Sequence, residues 1–361
     1  MMIPYVEIIG KYNLKPFALI EPSECWFELS YWEMGEFQVY APATPANLQA
    51  LKMGNYVKIP NKPYLWIIKS VQYTFNASKS RMISAKGYEA KWIVGQRAIL
   101  DPIELPTNLA TAIYNLVNNN LGTGAISSRK INGFKVNQPT FDINISQTQA
   151  TRGNLWEFVA NLLKTSKCGS FSSWINGKIV YNAILGVDRS DYIVFSQSMD
   201  NLLSSDYCEN SEAKKTFCRV VSTFTEKDDQ DENISVDYVS DYDQDPTGID
   251  RHEIVIQSNL STKYTDENGQ EQETTPTSDL YQSWQVEEAK NKLAEQIIRK
   301  EFNAEIDLRY SHFVFAEDFF IGDLVKVRDE FFGYEAKARI IKYTFKQDAK
   351  GYGEEAEYQS E

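Results

Sequence analysis

The sequence predicts a mainly β protein with α+β inserts, on three observations. Aromatic residues make up 13% of its 361 residues, with 21 Tyr and 19 Phe, a bias toward pleated, half-buried surfaces rather than helical bundles. The first hundred residues break into short runs of strand formers divided by turn residues, without helical periodicity. One pattern also occurs twice, 268 residues apart, as MGNYVKI from Met53 to Ile59 and IGDLVKV from Ile321 to Val327.

Each copy of that pattern leads to the same second element. Gly54 is followed 13 residues on by Ile67, Ile68 and Lys69, then Tyr73, Thr74 and Phe75; Gly322 is followed 18 residues on by Ile340, Ile341 and Lys342, then Tyr343, Thr344 and Phe345. Val57 and Ile59 flank Lys58 as Val325 and Val327 flank Lys326, the in/out alternation of a half-buried strand. The glycine before each suits a turn that needs φ > 0. Two unrelated antiparallel hairpins that share a Gly, a Val and an Ile-Ile-Lys are the competing explanation.

In chain order, strands are expected at Trp26–Leu29, Phe37–Tyr40, Tyr56–Ile59, Leu65–Val71 and from Met82 through Trp92, forming a small antiparallel barrel or sandwich over residues 1–101. After Asp101-Pro102, Leu109, Ile113, Leu116 and Val117 mark one face of a helix that stops before Gly122. Leu155, Val159, Leu162 and Leu163 mark a second helix, ending near Gly169. Strands Ser170–Trp174 and Ile179–Tyr181 follow, joined at Asn176-Gly177, a tight-hairpin signal. Residues 102–205 are therefore an α+β unit.

From Phe217 to Phe224 β character returns, and residues 226–250 hold ten acidic residues and one lysine, a density that predicts a solvated loop. Glu253–Gln257 is a further strand, and Asn268-Gly269 suggests a hairpin tip before Thr274–Ser278. Val286, Ala289, Leu293 and Ile297 line a third helix, with Glu288–Lys292 and Glu295–Arg299 as outward i,i+4 pairs. The second copy of the repeated pattern then closes the chain. The expected organisation is one continuous β-barrel over 1–101, and a second barrel from 206–240 and 304–361 interrupted by a strand and helix insert at 241–303.

Fifty acidic against 37 basic side chains give a formal charge of −13 without a Lys/Arg-rich block. Binding to phosphate backbones needs concentrated positive charge, so a nucleic-acid binder is disfavoured; an acidic surface suits solubility or a wall to which DNA does not adhere. The N-terminus lacks a basic start followed by an apolar core, and no apolar run approaches bilayer length. Synthesis as a soluble protein in the cytoplasm is expected. Cys25, Cys168, Cys208 and Cys218 form no CxxC and are expected to be buried reduced thiols.

No catalytic, cofactor or metal site emerges. His252 and His312 are the only histidines and have no cysteines at zinc-site spacing beside them; GxSxG, HExxH, GxxxxGK[ST] and GxGxxG are all absent. Asp241, Asp243 and Asp245 fall at positions 1, 3 and 5 of a calcium loop, but Pro246 stands where its glycine belongs and His252 where its glutamate belongs. The seven tryptophans are scattered singly, as core residues are.

The order of several short segments resembles the tail-associated (Tal-like) baseplate-hub and tail-tip proteins of siphophages and their prophages, related to the hub of contractile tails. The segments are Gly87-Tyr88-Glu89 with Arg97, then Gly186-Val187-Asp188-Arg189-Ser190, Val194-Phe195-Ser196 and Asp200-Asn201-Leu202, and lastly Asp318-Phe319 with Gly322-Asp323-Leu324-Val325. In such proteins these residues, with Gly54, shape the fold and carry no catalysis. The resemblance implies two related β-barrels and a homotrimer whose six barrels form a pseudo-sixfold ring, adapting a hexameric tail tube to a threefold tip. The implied partners are the distal tail protein ring, the tape-measure protein and receptor-binding proteins or fibres, with genomic DNA passing through unbound. The implied location is the virion tail tip. The sequence ends soon after Phe345, so a wall-degrading or fibre domain is not expected.

Two other readings make different demands. A hydrolase of bacterial wall polymers needs a cleft with convergent carboxylates. A host-surface adhesin needs clustered exposed aromatics and direct cell binding.

Overall fold

The computed structural model describes residues 3–75, 81–146, 149–265, 270–306, 312–331, 333–349 and 351–360. The chain opens with β1 (Val6–Ile9), β2 (Pro16–Ile20), β3 (Glu24–Ser30) and β4 (Glu36–Pro42). A short helix then departs from the expected run of strands. Thr44 caps α1 (Pro45–Ala50), its hydroxyl accepting from Asn47 N, and Pro45 enters at the first turn. After β5 (Tyr56–Lys58), β6 (Trp66–Phe75) and β7 (Arg81–Glu89), the chain coils into a 3-10 helix at Ala90–Gln96. Trp92 therefore lies in a helical turn, not in the strand expected there.

The second unit comprises β8 (Ala98–Ile99), β9 (Ile103–Glu104), α2 (Leu109–Leu121), β10 (Phe134–Val136), β11 (Gln149–Ala150), β12 (Gly153–Asn154), α3 (Leu155–Thr165), β13 (Gly169–Ile175) and β14 (Lys178–Ile184). Asn108 and Asn154 cap its two helices. Asn176 and Gly177, at φ +52° and +74°, make the tight turn from β13 to β14. The apolar faces of α2 and α3 meet Ile9, Tyr56, Leu65 and Ile67 in one core, so this unit covers the outer side of β5 and β6.

The chain then gives β15 (Val194–Ser196) and β16 (Leu202–Asn210) before the insert. The insert holds β17 (Phe217–Lys227), β18 (Asn233–Asp243), β19 (Glu253–Gln257), β20 (Lys263–Thr265), β21 (Glu271–Glu273) and α4 (Asp279–Glu295). The acidic stretch is only partly loop: residues 228–232 turn and 244–247 are irregular, but 233–243 form β18, which pairs with β17 along its whole length. Its acids Asp237 and Asp241 point outward, while Val236, Tyr238, Ser240 and Tyr242 alternate with them on the half-buried side. Charge density had hidden a period of two. Residues 217–240, expected in the second barrel, lie instead with 241–243 in a separate sheet of order β18-β17-β19, and α4 packs on it through Cys218, Val220, Ala289 and Leu293.

Helix α4 also ends early. Ile297 is exposed and residue 299 already belongs to β22 (Arg299–Ile306), so the helical i,i+4 spacing expected for Glu295 and Arg299 is not kept. Lys292 reaches Glu295 at 2.9 Å instead, and Glu288 accepts from Ser258 at 2.7 Å. The hairpin tip at Asn268-Gly269 lies outside the described residues, though β20 and β21 flank it as an antiparallel pair. Then come β23 (Leu324–Asp329), β24 (Tyr334–Asp348) and β25 (Gly351–Ser360).

Thirteen strands form one sheet, in the order β16-β22-β25-β24-β3-β4-β7-β6-β5-β1-β2, with β23 and β15 branching from β24. It contains two arrays with matching order: β3-β4-β7-β6-β5-β1 and β16-β22-β25-β24-β23-β15. All corresponding pairings are antiparallel except the last, where β1 meets β5 antiparallel but β15 meets β23 parallel. The arrays join because β24 outruns β23 and its second half pairs with β3. Where two separate barrels were expected, the described strands follow one open path ending at β2 and β16, and no closed barrel forms among them. Phe27, Leu29, Val57 and Ile68 share a core with Val325, Ile340, Tyr343 and Phe345.

Candidate functional site

The two copies of the repeated pattern match at the level of single hydrogen bonds. Gly54 N donates to Ile68 O at 2.8 Å and Ile68 N to Asn55 O at 2.9 Å; Gly322 N donates to Ile340 O at 2.8 Å and Ile340 N to Asp323 O at 3.0 Å. Both partner strands carry a one-residue bulge next, between Ile68 and Ser70 and between Ile340 and Lys342. This corrects the alignment read from sequence by one residue. Ile68 corresponds to Ile340, so the Ile-Ile-Lys and Tyr-Thr-Phe matches are out of register. The lysines differ as well: Lys326 is half-buried beside Glu335, whereas Lys58 is buried, with its ammonium 3.2 Å from Glu7. Lys58 is thus not an outward strand position: its ammonium lies between Glu7 and the Trp174 ring, 5.8 Å from the ring centre.

Six of the predicted fold-shaping residues converge at the second copy. Asp323 is buried; its carboxylate accepts from Val187 N at 2.8 Å, Arg189 Nε at 2.6 Å and Phe320 N at 2.9 Å. Arg189 N donates to Leu324 O and Leu324 N to Val187 O, which stitches residues 187–189 along the start of β23. Asp188 accepts from Ser190 N and Oγ and from Lys337 Nζ at 2.8 Å, and these bonds, led by Lys337, hold its carboxyl well below the usual carboxylate range. A Cβ on Gly186 would lie 1.7 Å from Gly322 O. Gly322 in turn lies under the ring of Tyr31, and its carbonyl accepts from Arg339 at 2.7 Å.

The other predicted residues act apart from this cluster. Gly87 lets the β6 bulge approach, since a Cβ there would fall 1.9 Å from Ile67 O. Tyr88 stacks on Trp92, and Arg97 donates twice to Arg129 O, which ties the 3-10 helix to the second unit. Asn201 clamps a turn by accepting from Ser196 N and donating to Val194 O, and Asp318 accepts from Val314 N.

Sequence reasoning missed two residues that connect the units. Tyr31 accepts from Gly186 N at 3.1 Å, donates to Lys167 O at 3.1 Å, and presses on both Gly169 and Gly322. Lys91 is fully buried against Glu89 at 3.4 Å; it donates to Ser30 O and Ser170 O while Ser172 N donates to Glu89. A charged pair two apart at a strand end was the only sequence signal for it. Burial pushes the Glu89 carboxyl up and the Lys91 ammonium down.

A cleft of about 300 Å³ is lined by Glu33, Glu212, Glu295 and Glu357 with Lys164 and Lys342, and two of these carboxylates are bound by lysines, Glu357 by Lys342 at 3.3 Å and Glu295 by Lys292. Glu28, whose carboxyl burial pushes up to about 7, stands in β3 outside that lining. Both histidines are exposed. Asp241 grips Arg219 through two bonds and Asp243 grips Arg251 at 2.7 Å, so the calcium-like triplet lies along a strand and its end. Among the described residues no three His, Cys, Asp or Glu side chains gather as a metal site. Cys25, Cys168 and Cys218 are buried as expected; Cys208 is exposed on β16, contrary to that expectation. Among the described residues no helix is long and apolar enough to cross a membrane.

Comparison with known proteins places this architecture. A tail protein from Neisseria meningitidis MC58 superposes with TM-score 0.56 and 13% identity, over 99% of this chain and 96% of that one. The 43 kDa tail protein of prophage MuSo2 from Shewanella oneidensis gives TM-score 0.60 and 13% identity over 98% of each chain. Prophage tail protein gp18 from Listeria monocytogenes EGD-e gives TM-score 0.50 and 10% identity, over 99% and 94%. At such identities the likeness is one of fold. No curated protein sequence matches the chain significantly. The family described as Siphovirus ReqiPepy6 Gp37-like protein matches residues 23–357, nearly the whole length, and the chain belongs to that family.

Proposed function

We propose that this protein is a structural hub of a phage tail tip: a homotrimer whose six strand arrays form a pseudo-sixfold ring. That ring adapts a hexameric tail tube to a threefold tip and lets DNA pass during infection. One observation carries the proposal. The second array already docks on the first through β24 and β3, and the two arrays share strand order and bulge position. Such head-to-tail contact between equivalent units is heterologous, and repeating it generates a ring when the rotation closes. Three chains then supply six units.

The partners in this proposal are a distal tail protein ring, a tape-measure protein and receptor-binding proteins or fibres. Genomic DNA crosses the lumen without specific contacts. The excess of 50 acidic over 37 basic side chains suits a passage that repels DNA, and an electropositive lumen in the assembly contradicts it. Tyr31, Asp323 and the Glu89–Lys91 pair have fold-shaping roles, with no part in catalysis.

The test is mass in solution combined with a low-resolution image. A threefold ring with six similar lobes supports the hub; a compact monomer at all concentrations refutes it. Release of wall fragments by the purified protein favours a hydrolase instead.

A further inference from the structure

We infer that copies of this chain join by strand addition, the free edge of β6 pairing antiparallel with β16 of the next copy so that Gln72 faces its Cys208; this rests on the ring proposed above.

The inference follows from register. Gly87 stands between Ile68 and Phe37, and Tyr358 stands between Ile340 and Phe302. Phe37 faces Phe27 on β3, and Phe302 faces Tyr207 on β16. Tyr207 therefore corresponds to Phe27, and Tyr73, five residues past Ile68, corresponds to Phe345, five past Ile340. Within the chain Phe345 pairs with Phe27, so the equivalent contact is Tyr73 with Tyr207. Two copies are needed to make it, because β6 and β16 lie in different arrays toward opposite ends of the strand path.

Both edges are suited to the contact. Among the described residues β5 pairs with β6 only at Ile67 and Trp66, so Ser70–Phe75 extends beyond it, and β16 ends the sheet. Tyr73 is 60% exposed and Phe75 65% exposed, whereas Phe345, at the position equivalent to Tyr73, is fully buried against Tyr64, Phe315 and Tyr343. An exposed strand edge with aromatic side chains is a template for another strand.

The register also sets the geometry of one pair. Tyr31 N donates to Ile341 O at 2.8 Å, and alternation along an antiparallel ladder then makes Glu28 and Thr344 a non-hydrogen-bonded pair. Their equivalents are Cys208 and Gln72. Such pairs have Cα atoms about 4.5 Å apart, inside the about 4.4–6.8 Å range that a disulfide spans. Cys208 is exposed and Gln72 projects from the free edge strand.

The experiment introduces Gln72→Cys into the full chain, oxidises the assembled protein mildly, and reads non-reducing electrophoresis beside light scattering. Most of the chain is expected to migrate as covalent dimer and trimer. Two controls are expected to stay uncrosslinked: Gln72→Cys with Cys208→Ser, and Ser70→Cys, whose diagonal distance of about 7–8 Å exceeds disulfide reach. A protein that is trimeric by light scattering yet fails to crosslink through Gln72→Cys, or crosslinks equally through Ser70→Cys, overturns this pairing and leaves the ring intact. A protein that is monomeric throughout overturns the ring and the pairing together.

Discussion

Gly54 and Gly322 hold the same backbone conformation, φ +88° and +89°, and each donates a 2.8 Å hydrogen bond to a buried isoleucine on the following strand. Their surroundings differ. A Cβ on Gly54 would meet the flexible Lys11 side chain at 3.0 Å, while one on Gly322 would fall 2.1 Å from the ring of Tyr31, itself locked by three hydrogen bonds. Gly54→Ala is therefore expected to cost about 1 kcal/mol from backbone strain alone. Gly322→Ala adds overpacking of a further 1–3 kcal/mol, roughly. Urea unfolding of both variants measures the difference, and equal losses would show that Tyr31 yields freely.

Asp323 binds residues 187 and 189 and the turn at Phe320 at once. Asp323→Ala strands two backbone N–H groups and the Arg189 guanidinium, a loss of about 2–4 kcal/mol for groups so placed. Asp323→Asn keeps one acceptor oxygen and is expected to lose less. Chemical denaturation ranks the two, and hydrogen exchange at Val187 and Leu324 should accelerate first.

The regular parts of the fold were legible because local signals and tertiary structure agree there. The apolar faces from Leu109 to Val117 and from Leu155 to Leu163, and the turn at Asn176-Gly177, are kept by the structure, which adds Asn108 and Asn154 as helix caps that the periodicity alone does not mark. The insert was harder to read, since β18 carries its acids on the exposed side of an alternating strand, and charge density outweighs alternation in a single-sequence reading. The off-by-one match of Ile67 with Ile340 had a different source. A bulge adds a residue that side-chain identity cannot reveal, and only the bonds from Gly54 and Gly322 identify the true equivalents. Tyr31 and Lys91 act through contacts with residues more than sixty positions away, which no local pattern encodes.

Glu28 gives the protein a pH response. Burial, reinforced by Glu357 and opposed by Lys342, raises its carboxyl from an ordinary 4.5 to about 7. A raised carboxyl favours the protonated fold, so this contribution is complete below about 4.5 and disappears as pH rises through 7. Glu28→Gln removes the penalty of the buried charge. The variant is expected to exceed the parent in stability at pH 8, by on the order of 2 kcal/mol, with the gap closing by pH 4. Thermal melting across that range tests the sign, and a gap that widens toward acid pH would contradict it.

Assembly through the β6 edge makes a prediction that separates folding from association. In the ladder that β24 forms with β3, residues with the parity of Tyr343 and Phe345 bond to the partner strand, so at the corresponding positions Val71 and Tyr73 turn their N–H groups off the free edge. Gln72 turns its N–H inward to β7, opposite Ser84. Tyr73→Pro removes an edge donor that the single chain does not use, a position where proline is tolerated in sheets. Its unfolding midpoint should stay near that of the parent, within about 1 kcal/mol for a surface change, while light scattering shows loss of the trimer. Gln72→Pro removes a ladder bond inside the sheet and should destabilise the chain by about 1–3 kcal/mol, the cost of the acceptor left unpaired. Were Tyr73→Pro to assemble as well as the parent, the β6 edge would not be the contact between copies.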